Sequence, residues 1–90
     1  MTATFKIQVS SEARRGLNRL PSKIASAVVE FITGPLAENP QKLSKPLRGD
    51  LDGYRSARRG DYRVLIRIIE SDEAVLVVRI DHRADIYRPK

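Results

Sequence analysis

The chain has 90 residues, enough for one domain (1–90) with a single modest core and no room for a cofactor cleft. It carries 17 Lys and Arg against 11 Asp and Glu, a net charge of +6, and no cysteine, which excludes disulfides, thiolate chemistry and cysteine-ligated zinc. The lone histidine cannot build a metal site, no apolar stretch approaches ~20 residues, and Met1-Thr2-Ala3-Thr4-Phe5-Lys6 lacks a signal-peptide core. These features lead us to expect a soluble cytoplasmic protein with no membrane association, no metal and no small-molecule cofactor.

Thr4-Phe5-Lys6-Ile7-Gln8-Val9 alternates apolar and polar residues, as a half-buried strand does. Ser10 or Ser11 can cap a following helix, with Glu12 favourable in its first turn and Ala13, Leu17 and Leu20 on one side. Pro21 suits the first turn of a second helix, whose apolar stripe is Ile24, Val28, Phe31 and Ile32, joined by Ala25 and Ala27. Gly34-Pro35 is predicted to end that helix. Residues 35–53 are punctuated by proline, glycine and asparagine and read as irregular. Three strands are then predicted at roughly 54–59, 62–69 and 74–80, joined by Gly60-Asp61 and by Glu70-Ser71-Asp72-Glu73. Val64, Ile66 and Ile68 share one side of the middle strand, so Arg63 and Arg67 point to the other. In 74–80, Leu76, Val78 and Ile80 share one side, and Val77 and Arg79 the other. The expected fold class is α+β: an N-terminal strand, a two-helix hairpin, then a three-stranded antiparallel meander with helices on one face.

The positive charge is concentrated. Residues 42–67 hold eight Lys and Arg against Asp50, Asp52 and Asp61, a net +5. Within them, Tyr54-Arg55-Ser56-Ala57-Arg58-Arg59-Gly60-Asp61-Tyr62-Arg63 sets arginines around a Gly-Asp turn. Forked guanidinium groups on a rigid hairpin suit phosphate, and can stabilise charge that develops on phosphate during a reaction. A charge so localised implies a polyanion-binding face with salt-dependent affinity.

Three motifs, in order, carry a family resemblance across nearly the whole chain. They are Lys45-Pro46-Leu47-Arg48-Gly49, Ser56-Ala57-Arg58-Arg59-Gly60-Asp61-Tyr62-Arg63-Val64, and Asp81-His82-Arg83-Ala84-Asp85-Ile86-Tyr87-Arg88. Together they resemble the RelE/ParE superfamily of bacterial toxins, with the Arg-Arg-Gly-Asp-Tyr-Arg and His-Arg-x-Asp-x-Tyr segments most similar to the RelE branch, in particular its mycobacterial members. The resemblance implies a RelE-like fold and a toxin of a type II toxin–antitoxin pair. It also implies ribosome-dependent cleavage of messenger RNA in the A site, translation inhibition, and a cognate antitoxin as partner.

Cleaving RNA without a metal uses the ribose 2′-hydroxyl as nucleophile against the adjacent phosphate. The step needs a proton acceptor, cations over the non-bridging oxygens and a proton donor for the leaving 5′-oxygen. Arg63 aligns with the family's phosphate-contacting arginine and is the first candidate for charge stabilisation. Lys45, Arg48, Arg55 and Arg59 are further candidate phosphate contacts. Either Arg55 or Arg58 can share the face of Arg63, and the spacing to Gly60 favours Arg58. Some relatives carry lysines on this strand, and here there are none. Arginine keeps its proton at physiological pH, so a lysine-base mechanism does not transfer. His82 is then the candidate general base or acid, with Arg83 on the scissile phosphate or leaving oxygen. Tyr87 is a candidate to stack on a base or to pack against the sheet. Tyr62 reads as structural, facing opposite to Arg63, and Tyr54 is left unassigned. Two alternatives accompany this reading: a ParE-like inhibitor of DNA gyrase, and a non-catalytic RNA-binding module.

Overall fold

The structure, a computed structural model, describes residues 4–82. Its elements are β1 (Lys6–Val9), α1 (Ser11–Asn18), α2 (Ser22–Phe31), β2 (Lys45–Pro46), β3 (Arg55–Arg59), β4 (Tyr62–Ile69) and β5 (Ala74–His82). The five strands form one mixed sheet in the order β1-β5-β4-β3-β2. β3, β4 and β5 make the expected antiparallel meander, while β1 runs parallel to β5 and the two-residue β2 pairs with β3. Both helices lie on one face. No helix among the described residues is long and apolar enough to cross a membrane.

The core lies between the helices and that face. Val28, Phe31, Ile32 and Leu36 from the helical side meet Ala57, Val64, Ile66, Val75, Val77 and Ile80 from the sheet. Val28, Leu36, Val64, Ile66, Val75 and Val77 are fully buried, and each such side chain contributes about 1.5–3 kcal/mol. Tyr62 joins them, edge-on to Phe31 with ring centroids 6.5 Å apart, in the structural role its position implied.

Two sequence expectations give way to this core. Gly34-Pro35 does not end the helix. The chain passes from α2 into a π-helical turn over Ile32–Leu36 and stays helical to residue 38. The wide turn relieves the clash of the Pro35 ring with the preceding turn, and the Pro35 carbonyl still accepts from the Asn39 N–H at 3.1 Å. The continuation carries Leu36 and Ala37 into the interior, where both are fully buried.

The second departure is in β5. Leu65 pairs with Arg79 and Ile66 with Val77, which leaves Val78 as a bulged residue. The bulge changes the phase of the strand, so that Val75, Val77 and Ile80 share the core side, while Leu76, Arg79 and Asp81 oppose the open-face residues Arg67, Leu65 and Arg63. Ser10, the N-cap of α1, accepts from the Ala13 N–H at 3.0 Å and donates to the Val78 carbonyl at 2.7 Å. One serine thus caps the helix and satisfies the bulge.

α1 lies directly on β5 at Gly16, where a Cβ would sit 2.6 Å from the Ile80 carbonyl oxygen. A backbone oxygen in a sheet cannot move as a flexible side chain could. Gly16→Ala should therefore destabilise by about 1–3 kcal/mol, despite a helix-propensity gain of about 1 kcal/mol. Urea unfolding checks this, and an unchanged or raised midpoint would disprove the close contact.

Candidate nucleic-acid interface on the open sheet face

Strand alternation sends the partners of the core residues to the other side of the sheet, where no described element packs. Arg58 on β3 lies directly opposite Arg63 on β4, and Arg63 lies opposite Asp81 on β5. The Cβ atoms of directly opposed residues are about 5 Å apart, so two guanidinium groups start side by side. The hairpin is held by the two-residue loop Gly60-Asp61, in which Gly60 takes φ 58° at the position where a tight hairpin turn needs the left-handed region. One row along the sheet, Ser56 opposes Leu65 and Leu65 opposes Arg79. Lys45 on β2 stands opposite Ser56 and joins the same face.

Arg79 does not add a free cation. Its Nε lies 2.9 Å from Asp81 Oδ1 and 3.9 Å from Glu12 Oε2. The pair anchors Asp81 beside Arg63 while leaving the positive balance of the face to Lys45, Arg58, Arg63 and Arg67. Arg67 lies over the ring of Tyr54, its guanidinium carbon 5.9 Å from the centroid.

The structure separates the sequence-predicted residues. Arg58 and Arg63 come together, and of the two candidates for that face it is Arg58 that occupies it. Arg55 turns the other way: its Nε donates to Ser44 Oγ at 2.7 Å, and its Nη2 to the carbonyls of Ser44 at 3.0 Å and Gln41 at 3.1 Å. These bonds spend three of its five N–H donors on the loop that leads into β2. Arg59 also leaves the array and lies over the Phe31 ring at 5.4 Å. Arg48 is exposed in the loop after β2, and Lys45 is exposed on the open face. His82 pairs in register with Tyr62 and sits half-buried at the end of β5, one residue beyond Asp81 and turned to the opposite side. Arg83 and Tyr87 lie outside the described residues. Sequence reasoning set Arg67 on the side of Arg63 without giving it a role, left Tyr54 unassigned and did not single out Asp81; register brings Tyr54 and Asp81 to the same face.

Burial raises the Tyr62 phenol above its ordinary value of 10.0, and the nearby Arg59 offsets part of that rise. A phenol whose pKa is raised in the folded state contributes its stability below pH 10 and loses it as pH climbs through the folded value. Alkaline destabilisation should therefore be smaller in Tyr62→Phe than in the parent, as read by unfolding midpoints across that range.

The fold resembles solved toxin structures. The crystal structure of the RelBE2 toxin–antitoxin complex from Mycobacterium tuberculosis matches with a TM-score of 0.90 at 45% identity, covering 94% of this chain and 98% of that one. The archaeal RelE–RelB complex from Pyrococcus horikoshii matches with a TM-score of 0.69 at 25% identity, covering 90% and 97%. By sequence, Toxin RelG and Toxin RelE of Mycobacterium tuberculosis are each 49% identical over 84 residues, which is 93% of this chain and 97% and 87% of theirs. The family described as the ParE toxin of type II toxin–antitoxin systems matches residues 7–87. The chain belongs to this superfamily of type II toxins, and within it to the RelE branch of its mycobacterial relatives.

Opposed like charges cost stability, and Arg58–Arg63 is such a pair. Arg58→Gln is expected to raise stability by a few tenths of a kcal/mol, with the gain shrinking as salt screens the repulsion. Denaturant midpoints at low and high salt check this, and a loss of stability would show that the pair is not strained.

Proposed function

We propose that this chain is a ribosome-dependent endoribonuclease that cuts messenger RNA in the A site, and that a cognate antitoxin silences it. The observation that carries the reading is the Arg58–Arg63 pair on an uncovered sheet face, in a chain of the RelE branch. Two forked cations side by side can hold both non-bridging oxygens of one phosphate. They stabilise the charge that gathers there as the 2′-hydroxyl attacks. Asp81, already engaged by Arg79, stands opposite Arg63 in the register of β4 and β5.

Neither arginine can take a proton, so that task falls to His82, with Arg83 next to it in sequence. Because β5 turns His82 away from Asp81, the reacting phosphate would have to lie at the end of the sheet, where both Arg63 and His82 can be reached. Tyr87 would then stack on a base beside the cut. Exact placement of the codon is work for the ribosome, since a shallow open face positions a strand poorly by itself. The antitoxin partner is supported by the relatives solved as toxin–antitoxin complexes, and an acidic segment that orders on binding would complement the basic face.

The test is expression of the protein in cells with mapping of new messenger 5′ ends. Codon-positioned cuts in translated regions are expected, reduced by about 100- to 1,000-fold in Arg63→Gln. His82→Gln should lower the rate of cutting while leaving the protein folded. Intact messages with double-strand DNA breaks would instead assign the chain to gyrase inhibition, and an unchanged cleavage rate in His82→Gln would remove His82 from the chemistry.

A further inference from the structure

Four residues along β4 from Arg63, on the same open face, Arg67 is exposed and lies over the half-buried ring of Tyr54. The register of β3 and β4 sets these two residues side by side just past the Arg55–Ile66 pair. At the rise of an antiparallel strand, Arg67 stands about 13 Å from Arg63. Between them lies the neutral pair Ser56–Leu65, whose neighbour Arg79 is held by Asp81, and beside Ser56 stands Lys45. The open face therefore carries two cationic stations separated by an uncharged step, with Lys45 at its flank.

We infer that Arg67 and Tyr54 form a second subsite for single-stranded RNA, which binds the stretch of strand next to the phosphate held by Arg58 and Arg63. The inference rests on the function proposed above. Among the described residues, no carboxylate lies within ion-pair distance of Arg67, so its charge is not spent on the fold. The Arg67 guanidinium carbon lies 5.9 Å from the Tyr54 ring centroid, a contact with the ring face that uses none of its N–H donors and leaves them for a phosphate. The half-buried ring and the exposed planar cation together offer a stacking surface for a splayed base. The separation suits a short stretch of extended strand that runs along β4, with Leu65 beneath it. Charge selects RNA as the occupant: the strand positions of the face carry Lys45, Arg58, Arg63 and Arg67, while Asp81 is already engaged by Arg79.

Binding of single-stranded 2′-O-methyl oligonucleotides, which cannot be cut through the 2′-hydroxyl, tests the subsite by fluorescence anisotropy. Affinity of the parent protein should rise on going from a trinucleotide to longer strands. Arg67→Gln should erase that rise, weakening the longer strands by about tenfold while leaving the trinucleotide unchanged. It should also lower the slope of log affinity against log salt by about 0.7 for the longer strands. Tyr54→Leu should reproduce the loss and Tyr54→Phe should not, with thermal melts establishing that each variant is folded. Equal behaviour of Arg67→Gln and the parent at every length overturns the subsite, as does a loss that is the same at every length. In either case Arg63-dependent cutting in cells leaves the proposed function standing. No binding by the parent at any length overturns the subsite, and absent messenger cuts would take the function with it. A variant that binds RNA normally but loses the antitoxin overturns the subsite by reassigning the pair to the protein partner.

Discussion

The register of β4 against its two neighbours is the constraint on which the rest of this molecule depends. Val64 and Ile66 are fully buried on one face of that strand, and Arg63 and Arg67 stand on the other. A slip of one residue would drive arginines into the core and expose the valine and isoleucine, a cost of several kcal/mol for each side chain moved. The hydrophobic core thus locks the cationic array in place without touching it. The same register obliges Arg58 to face Arg63, so the repulsion between them is carried by burial on the reverse side of the sheet.

The arginines of the hairpin divide their labour according to which face they reach. Arg55 and Arg59 share the side of buried Ala57, and both find partners within the fold: one ties the loop before β2, the other covers Phe31. Arg58 and Arg63 share the open side. Cations on the helix-bearing face can lean on carbonyls and rings, whereas those on the open face have mainly solvent or a ligand to meet. A run of basic residues that looks uniform in sequence is thus half scaffold and half binding surface.

The bulge at Val78 extends this logic to β5. With strict alternation, Asp81 would fall on the side of Val77 and the core, and Arg63 would lack its acidic neighbour. The unpaired residue resets the phase, and Ser10 at the start of α1 accepts the consequence by bonding the Val78 carbonyl. Helix start, bulge and open-face charge pattern are therefore one coupled arrangement, with Gly16 allowing α1 to lie close enough to maintain it.

The amino-acid sequence by itself determined the element order, the meander, the central place of β4, and the alternation that opposes Val64 and Ile66 to Arg63 and Arg67. These are local patterns, written in the spacing of apolar residues and in the Gly60-Asp61 turn. It also determined the chemistry available, since four hairpin arginines and one histidine follow from composition alone. Tertiary structure alone decided the rest. Gly34-Pro35 reads as a stop, yet the interior draws Leu36 and Ala37 inward and a π turn absorbs the proline. Nothing in Val75-Leu76-Val77-Val78 marks which valine is bulged, because that choice is made by pairing with β4 and by a serine 68 residues earlier. The partners of Arg55 and Arg59 are likewise set by which loop and ring the folded sheet brings near. Contacts between distant segments carry no local signature, and here they decide which charges the protein keeps for itself and which it offers to a ligand.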